Sequence, residues 1–266
     1  MRKFLKNSIV IFSLLALVMW STPVHAANTE SADFEVTSSQ YLSAGDDPDL
    51  SITSDMTIEA WVKFETDPPG NPGFLLVTKR NSTGPDKSYS FDYDSTGGNR
   101  LKLEISADGS DSPQVAVTVD LNTAEWHHIA VTYDASAGSA TFYVDGVQEG
   151  STQTGLPTSI FDGVAAFHIS GGDVDGTYMD GLVDDVRLWD DIRTQTEIND
   201  NKCIEIDSDT NLKGSWHLNN TLLIDSSGNG NNLTNTNSTA STTDVAHNDP
   251  LCAEEGFNDV MIISKI

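Results

Sequence analysis

Two adjacent carboxylates, Asp184 and Asp185, interrupt the apolar stretch "GLVDDVRLW" at residues 181–189. The alternation of a β-strand predicts that Asp184 shares a face with Leu182 and Val186, pointing toward the interior. A buried carboxylate without partners costs several kcal/mol. Asp184 therefore needs a cation, a set of N–H donors or a position at a solvated strand end.

Three other stretches have residue types that could bind metal. "GGDVDG" (171–176) spaces Asp173 and Asp175 like a short calcium loop, but it lacks the remaining EF-hand ligands, so a solvated turn is the favoured interpretation. "DSSGNGNN" (225–232) alternates oxygen-bearing side chains with glycines that tight turns equally explain. "WHH" (126–128) has no third His or Cys at ligand spacing. These stretches are therefore interpreted as structural.

The elements that position these residues are strands. Short alternating runs of β-branched and aromatic residues are separated by Gly, Pro, Asn, Asp and Ser, which is typical of an all-β protein. The runs predict strands near 33–37, 40–44, 56–65, 73–79, 88–94, 100–106, 114–120, 126–133, 139–144, 147–152, 164–170 and 181–189, with further strand-like pieces near 212–218 and 231–236.

Two local signals and one aromatic pattern refine this prediction. Asp145-Gly146 supplies the positive φ angles of a two-residue hairpin turn. A short helix is expected over 194–201, with Thr194 and Glu197 forming a capping box. Tyr89, Phe91 and Tyr93 alternate along one strand face, where core packing is favoured over a stacking platform.

The amino terminus predicts export. Residues 1–26 combine three cations, an apolar run that is too short for a bilayer and small residues at Val24 and Ala26 that offer a cleavage site, so they are interpreted as a secretory signal peptide. We expect a secreted product, extracellular or in the cell envelope, with no membrane insertion after cleavage. The formal net charge of −26 makes nucleic acid an unsuitable partner.

The two cysteines, Cys203 and Cys252, are expected to pair in an oxidising compartment. Such a bond closes a loop of about 50 residues and would stabilise the fold by about 4 kcal/mol on the chain-entropy model. Two free thiols are the alternative. Residues 246–266 are interpreted as a polar tail that this disulfide pins.

Four segments together carry a resemblance: "MTIEAWVKF" (56–64), "EWHHIAVTYD" (125–134), "ATFYVDGV" (140–147) and "MDGLVDDVRLW" (179–189). Their order and spacing resemble the LamG-like, pentraxin-related domains of the concanavalin A-like lectin/glucanase superfamily. The resemblance implies one domain over residues 27–245, an antiparallel jelly-roll sandwich of two sheets, with one short helix after the last long strand.

The resemblance also implies a metal ion. Such domains often hold one structural Ca²⁺ between an Asp of the last long strand and a carboxylate or carbonyl of the first, which assigns Asp184 and Glu35 to these roles. Val36 stands where relatives carry Gly. Calcium needs six to eight oxygens, so carbonyls and water would complete the shell. The alternative is a carboxylate that only binds backbone N–H groups.

If the strands around residues 59 and 187 are neighbours, as the resemblance implies, Glu59 can pair with Arg187 beside Trp61 and Trp189. A structural ion pair in a half-buried sheet is the favoured interpretation. The alternative is a sugar-binding groove formed by Trp61, Glu59 and Arg187, in which indole faces stack on sugar rings.

Catalysis is not expected. A glucanase of this superfamily would place paired carboxylates on one strand, but no Glu-x-Asp-x-Glu string occurs, and "EIDSD" (205–209) lies in a loop-like region. We therefore predict a non-catalytic binding module whose partner is an extracellular glycan or a surface protein. A glycoside hydrolase and a purely structural accessory domain are the alternatives.

Overall fold

The computed structural model describes residues 28–81, 84–172, 177–219 and 222–253. Its predicted all-β architecture is confirmed: two antiparallel sheets pack face to face. The predicted signal peptide, and Asp173 and Asp175, lie outside the described residues. Within the described ranges, no helix has the length and apolar character needed to span a membrane.

Every strand predicted from the alternation is present within a few residues of its expected position. In chain order, the strands are β1 (Ser31–Phe34), β2 (Tyr41–Ala44), β3 (Met56–Phe64), β4 (Phe74–Arg80), β5 (Lys87–Asp94), β6 (Arg100–Ile105), β7 (Gln114–Thr118), β8 (His127–Asp134), β9 (Ser139–Val144), β10 (Val147–Thr154), β11 (Phe167–Ile169), β12 (Gly181–Trp189), β13 (Leu212–Trp216), β14 (Thr234–Thr236) and β15 (Ala240–Thr242). The helices are α1 (Gln195–Asn201) and α2 (Pro250–Ala253), and two 3₁₀ turns span Val36–Ser38 and Ala246–Asn248.

Sheet A has eight strands in the order β10-β9-β8-β3-β12-β1-β15, with β13 also paired to β12. Sheet B has seven strands in the order β14-β2-β11-β4-β5-β6-β7. Neighbouring strands are often distant in sequence, because the chain crosses repeatedly between the sheets. This connectivity brings the first strand and the last long strand, β1 and β12, side by side.

The inward faces of both sheets form one core. The predicted packing role of Tyr89, Phe91 and Tyr93 is confirmed, since all three are buried in this cluster. The hairpin turn at Asp145-Gly146 is also confirmed, with φ of 53° and 80°. The capping box of α1 forms as predicted: Thr194 and Glu197 bond each other's backbone N–H groups.

After residue 238 the chain forms a strand that the alternation did not predict, β15. β15 adds a strand to the edge of sheet A beside β1, and the following turn and α2 continue across that sheet. The expected disulfide is confirmed between Cys203 and Cys252, whose Cα atoms are 5.4 Å apart. We call residues 240–252 the covering segment.

A β-bulge interrupts β12 at the adjacent carboxylates. Asp184 lies opposite Trp61 and Arg187 lies opposite Glu59, so two residues of β12 lie between these pairs, opposite one residue of β3. Asp185 has a φ of 45°, in the left-handed region that such bulges use. One inserted residue reverses the alternation of side chains in the remainder of the strand.

The bulge changes the face on which Asp184 lies. Val183 and Val186 both belong to the inter-sheet core, whereas Leu182 packs in a separate cluster with Trp61. The predicted shared face of Leu182, Asp184 and Val186 is therefore wrong. Asp184 lies on the outward face of sheet A, away from the space between the two layers.

Candidate functional site

The structure brings together Glu59, Trp61 and Arg187 on the outward face of sheet A, but it buries all three, at 2%, 0% and 0% exposed. Glu59 accepts a hydrogen bond from Trp189 Nε1 at 2.7 Å and lies 3.4 Å from His128 Nε2. Burial alone would raise the pKa of Glu59, but the bond with His128 and the charge of Arg187 lower it. These contacts are those of a structural network.

Arg187 is held by partners on its own side of the sheet. Its guanidinium pairs with Asp185 and donates to the backbone carbonyls of Asn201, at 3.0 Å, and Ile204. Burial opposes ionisation of Asp185, but the charges of Arg187 and His247 lower its pKa to about 2. All three guanidinium nitrogens of Arg187 therefore donate to protein groups rather than to solvent.

The covering segment and the turn after α1 seal this face. Trp61 donates to the Lys202 carbonyl at 2.6 Å, and Trp126 donates to Asp244 at 2.9 Å. Asp244 also pairs with Lys63 at 2.6 Å. The disulfide joins the two covering pieces. A sugar cannot contact Trp61 in this conformation, so the predicted groove over Trp61, Glu59 and Arg187 is not an open groove.

Asp184 is 0% exposed, and its Oδ2 accepts hydrogen bonds from Asn28 Nδ2 at 3.0 Å and Ala246 N at 3.1 Å. Burial, together with the adjacent charge of Asp185, raises its pKa well above the usual range. Its Oδ1 has no hydrogen-bond partner, and neither do the buried Asn28 Oδ1 and Glu30 Oε2. Carboxylate and amide oxygens of this kind suit Ca²⁺.

Glu35 lies elsewhere. Phe34 pairs with Gly181, so the exposed Glu35 follows at the level of Asp180, four positions from Asp184. Four strand residues span about 13 Å, whereas calcium ligands lie about 2.3–2.6 Å from the ion. The structure therefore does not bring Glu35 and Asp184 together. Among the described residues, no three His, Cys, Asp or Glu side chains could share a metal.

The outward face of sheet B carries a polar row that the sequence interpretation missed. Cross-strand pairing aligns Ser43 with His168, His168 with Thr78, Thr78 with Ser90, and Ser90 with Glu104. Five strands contribute one residue each, and four strand spacings give the row a length of about 19 Å. Each of these residues has at least one strand neighbour in the core cluster, so the row lies on the opposite face of the sheet.

A charged cluster forms one end of this row. Lys102 Nζ lies 2.9 Å from Glu104 Oε1, 3.2 Å from Asp92 Oδ2 and 3.5 Å from Asp94 Oδ2. Glu104 also pairs with Arg80 at 2.9 Å, and these two side chains are 11% and 10% exposed. Burial raises the pKa of Asp92 to about 7, although the charge of Lys102 acts in the opposite direction. Glu104 and Arg80 thus present the accessible edge of the cluster.

Aromatic rings form the other end. Tyr41 stacks against Tyr178 with centroids 6.3 Å apart and meets His168 edge-on at 5.4 Å. Tyr41 and Tyr178 are half-buried, whereas His168 is 3% exposed. Gly172 lies on the His168 ring so closely that a Cβ there would approach it to 2.5 Å. Two partly accessible phenol rings therefore lie beside a row of hydrogen-bonding groups.

A signal for this face was present in the sequence. The alternation that assigns Tyr89, Phe91 and Tyr93 to the core also places Ser90, Asp92 and Asp94 on the other face. This pattern has two alternating carboxylates rather than the three that are typical of a glucanase strand. Lys102 and Glu104 come from a different strand, and only the sheet register brings them to Asp92.

Comparison with known proteins supports the fold. Residues 36–199 match the Laminin_G_3 family model, described as concanavalin A-like lectin/glucanases superfamily. A Bacteroides ovatus protein described as carbohydrate-binding superposes with a TM-score of 0.62 at 21% identity, over 86% of this chain and 64% of that one. The heptameric SAP-like pentraxin of Limulus polyphemus superposes with a TM-score of 0.56 at 12% identity, over 85% and 98%.

A sequence relative points the same way. C-reactive protein of Xenopus laevis is 30% identical over 87 residues, which cover 30% of this chain and 36% of that protein. The alignment thus spans about a third of that relative's length.

Proposed function

Because this chain belongs to the Laminin_G_3 family of the concanavalin A-like lectin/glucanase superfamily, we propose that it is an exported, non-catalytic module that binds a glycan. The observation that carries the proposal is the outward face of sheet B, where the half-exposed Tyr41 and Tyr178 lie beside the polar row. Aromatic rings pack on the apolar faces of sugars. Thr78 and Ser90 in the middle of the row are buried, so hydroxyls would bind at its two ends, at Ser43 beside the rings and at the Glu104–Arg80 pair.

The charged end of the row suits hydroxyl recognition. Glu104 and Arg80 pair with each other, and each keeps about a tenth of its side chain accessible. A carboxylate and a guanidinium together offer acceptors and donors whose geometry the ion pair fixes in advance. A sugar hydroxyl can bind at this edge without disrupting the buried part of the cluster.

Hydrolysis is not part of the proposal. A glycosidase needs two carboxyl groups that face the scissile bond. On sheet B, Asp92 and Asp94 are both 0% exposed, and on sheet A, Asp184 and Asp185 lie under the covering segment. A reducing-end assay on the glycans that bind would reveal hydrolysis if this interpretation were wrong.

Export is supported by the disulfide, since such bonds persist in oxidising compartments. The proposed ligand is therefore a glycan outside the cytoplasm.

The test is a glycan array probed with the purified protein and with Tyr41→Ala. We expect bound glycans whose affinity falls about tenfold in the variant, equivalent to about 1.4 kcal/mol. Tyr143→Ala is the matched control, because Tyr143 is 7% exposed and packs with Ile198 on sheet A. An array without ligands, or ligands unaffected by Tyr41→Ala, would reject the proposed site.

We further propose that the protein binds one calcium ion through Asp184 and Asn28 rather than Glu35. The support is the unpartnered Oδ1 atoms of Asp184 and Asn28, whose side chains are in contact. The ion would join the segment before β1 to β12 and neutralise a buried carboxylate. Backbone carbonyls and water would have to supply most of its ligands.

A further inference from the structure

The most unusual feature outside the ligand-contacting edge is the environment of Lys102. Its side chain is 0% exposed, and besides the carboxylates its Nζ donates to Asn71 Oδ1 at 3.2 Å and to the Pro72 carbonyl at 3.3 Å. The loop before β4 therefore closes over the amine. Water is excluded from a site where an amine, a carboxyl group and a second acid are in mutual contact.

We propose that Lys102 and Asp92 form an intramolecular amide bond between their side chains, with Glu104 transferring the protons. The two residues are direct cross-strand partners on β5 and β6. Nζ lies 3.2 Å from Oδ2 of the carboxyl group whose Cγ it attacks, and 2.9 Å from Glu104 Oε1. The amine therefore lies against the carboxyl group that it attacks and against a second acid that can accept its proton.

The reaction is a condensation without a redox step. The ammonium of Lys102 gives one proton to Glu104, which passes it to the Asp92 carboxylate, and this leaves a neutral amine and a carboxylic acid. The Nζ lone pair attacks Cγ and the N–Cγ bond forms. Glu104 then takes one of the two remaining N–H protons and delivers it to the leaving hydroxyl. The Cγ–O bond breaks and one water leaves. Lys–NH₃⁺ and Asp–COO⁻ have then become one amide and one H₂O, and Glu104 is a carboxylate again.

Burial favours the uncharged form of both reacting groups, although for Lys102 the neighbouring carboxylates outweigh this effect. A buried ion pair pays a desolvation cost that condensation removes, since the amide carries no charge. The raised pKa of Asp92, caused by burial, means that this carboxyl group readily holds a proton. The carboxylates of Asp92 and Glu104 raise the pKa of Lys102 against the effect of burial, so proton transfer to Glu104 must precede attack.

The neighbouring groups select Asp92 over the other acids. Ser90 Oγ donates a hydrogen bond to Asp92 Oδ1, which would stabilise negative charge on that oxygen during attack. Asp94 is farther from Lys102, at 3.5 Å, and forms a two-bond pair with Arg100 at 2.7 and 3.1 Å. Glu104 is anchored by Arg80.

The test is peptide mass spectrometry on the full folded chain, denatured and reduced before digestion with trypsin. An amide at Lys102 blocks cleavage after that residue. We therefore expect the peptide Ser88–Arg100 to remain joined to the peptide that begins at Leu101, at the summed mass less one water. Lys79 is the internal control: it is equally buried and 2.7 Å from Asp46, but its other acceptors are backbone carbonyls, so cleavage after it should be normal.

Three variants separate the proposed chemistry from a simple ion pair. Lys102→Arg and Glu104→Gln should release Ser88–Arg100 as a free peptide, whereas Asp94→Asn should keep it joined. Thermal melting would verify that each variant is folded. Free Ser88–Arg100 and full cleavage after Lys102 in the folded wild-type protein would overturn the proposal, whatever the variants show. The result does not depend on glycan binding, so the two proposals stand or fall separately.

Discussion

The outward faces of the two sheets carry similar buried ion pairs, but different parts of the chain cover them. Each holds buried carboxylates paired with a buried cation: Asp185 with Arg187 on sheet A, and Asp92 with Lys102 on sheet B. The covering segment crosses sheet A and is fixed by a disulfide, whereas the row on sheet B ends in half-exposed aromatic rings. Residue types that could bind a sugar therefore occur on both faces, and the partial exposure of Tyr41 and Tyr178 distinguishes sheet B.

The difference predicts separate consequences for substitutions. Changes on sheet A should alter stability and leave ligand binding intact in the folded fraction. Changes at Tyr41 and Tyr178 on sheet B should weaken ligand binding and alter stability little.

Asp185→Asn should have the largest effect. It keeps a side chain that tolerates the left-handed backbone of the bulge, but it leaves Arg187 buried without its carboxylate, which costs about 3–5 kcal/mol. Urea denaturation of the variant and the wild type measures this. Asp207→Asn is the control, because the Asp207 side chain is 82% exposed and should matter little. Equal loss in both variants would contradict a special role for the sealed pair.

The same pair has a pH signature. The pKa of Asp185 is lowered to about 2 in the folded protein, so the unfolded chain takes up the proton first as the pH falls. Its stabilisation is therefore present above about pH 4 and is lost between about pH 4 and 2. Denaturation curves across this range should fall more steeply for the wild type than for Asp185→Asn.

Removing the disulfide with the double variant Cys203→Ser and Cys252→Ser should have the next largest effect. The bond closes a loop with a sequence separation of 49, and its loss should cost about 2–4 kcal/mol. Fluorescence of Trp61 and Trp126 should report looser packing of the covering segment. Glycan affinity should be unchanged. Lost binding in a variant that remains folded would place the ligand site on sheet A.

Calcium should distinguish Asp184, on β12, from Glu35, which follows β1. Added Ca²⁺ should raise the melting temperature of the wild type and of Glu35→Gln, but not of Asp184→Asn. At 100-fold above Kd, binding would add about 2.7 kcal/mol. Scanning calorimetry with calcium or with a chelator measures this. No shift in the wild type would remove the calcium proposal, and a shift lost in Glu35→Gln would restore the ligand pair implied by family resemblance.

Much of the fold was predictable because the alternation of apolar residues encodes strands. Asp145-Gly146 encodes a hairpin turn, and the Thr194–Glu197 pair encodes the start of α1. The face of Asp184 was not predictable by the same rule, because one bulged residue reverses the alternation. The sealed state of Trp61 depends on residues about 140 or more positions later in the chain. The contact of Lys102 with Asp92 depends on strand register, which a period of two does not specify.

The smallest change in stability, with a clear change in function, is expected for Tyr178→Ala. Tyr178 is half-buried and contacts Tyr41 through a stacked ring, so its removal should cost about 1 kcal/mol or less of folding free energy. Glycan affinity should fall about tenfold, because the ring that it stacks with loses its support at the site. Isothermal titration with the best array ligand gives the affinity, and urea denaturation gives the stability.

The comparison of the two faces fails if Tyr178→Ala unfolds the protein as severely as Asp185→Asn while the affinity of its folded fraction is unchanged. In that case Tyr41 and Tyr178 would stabilise the fold by packing and would not form a sugar-binding surface.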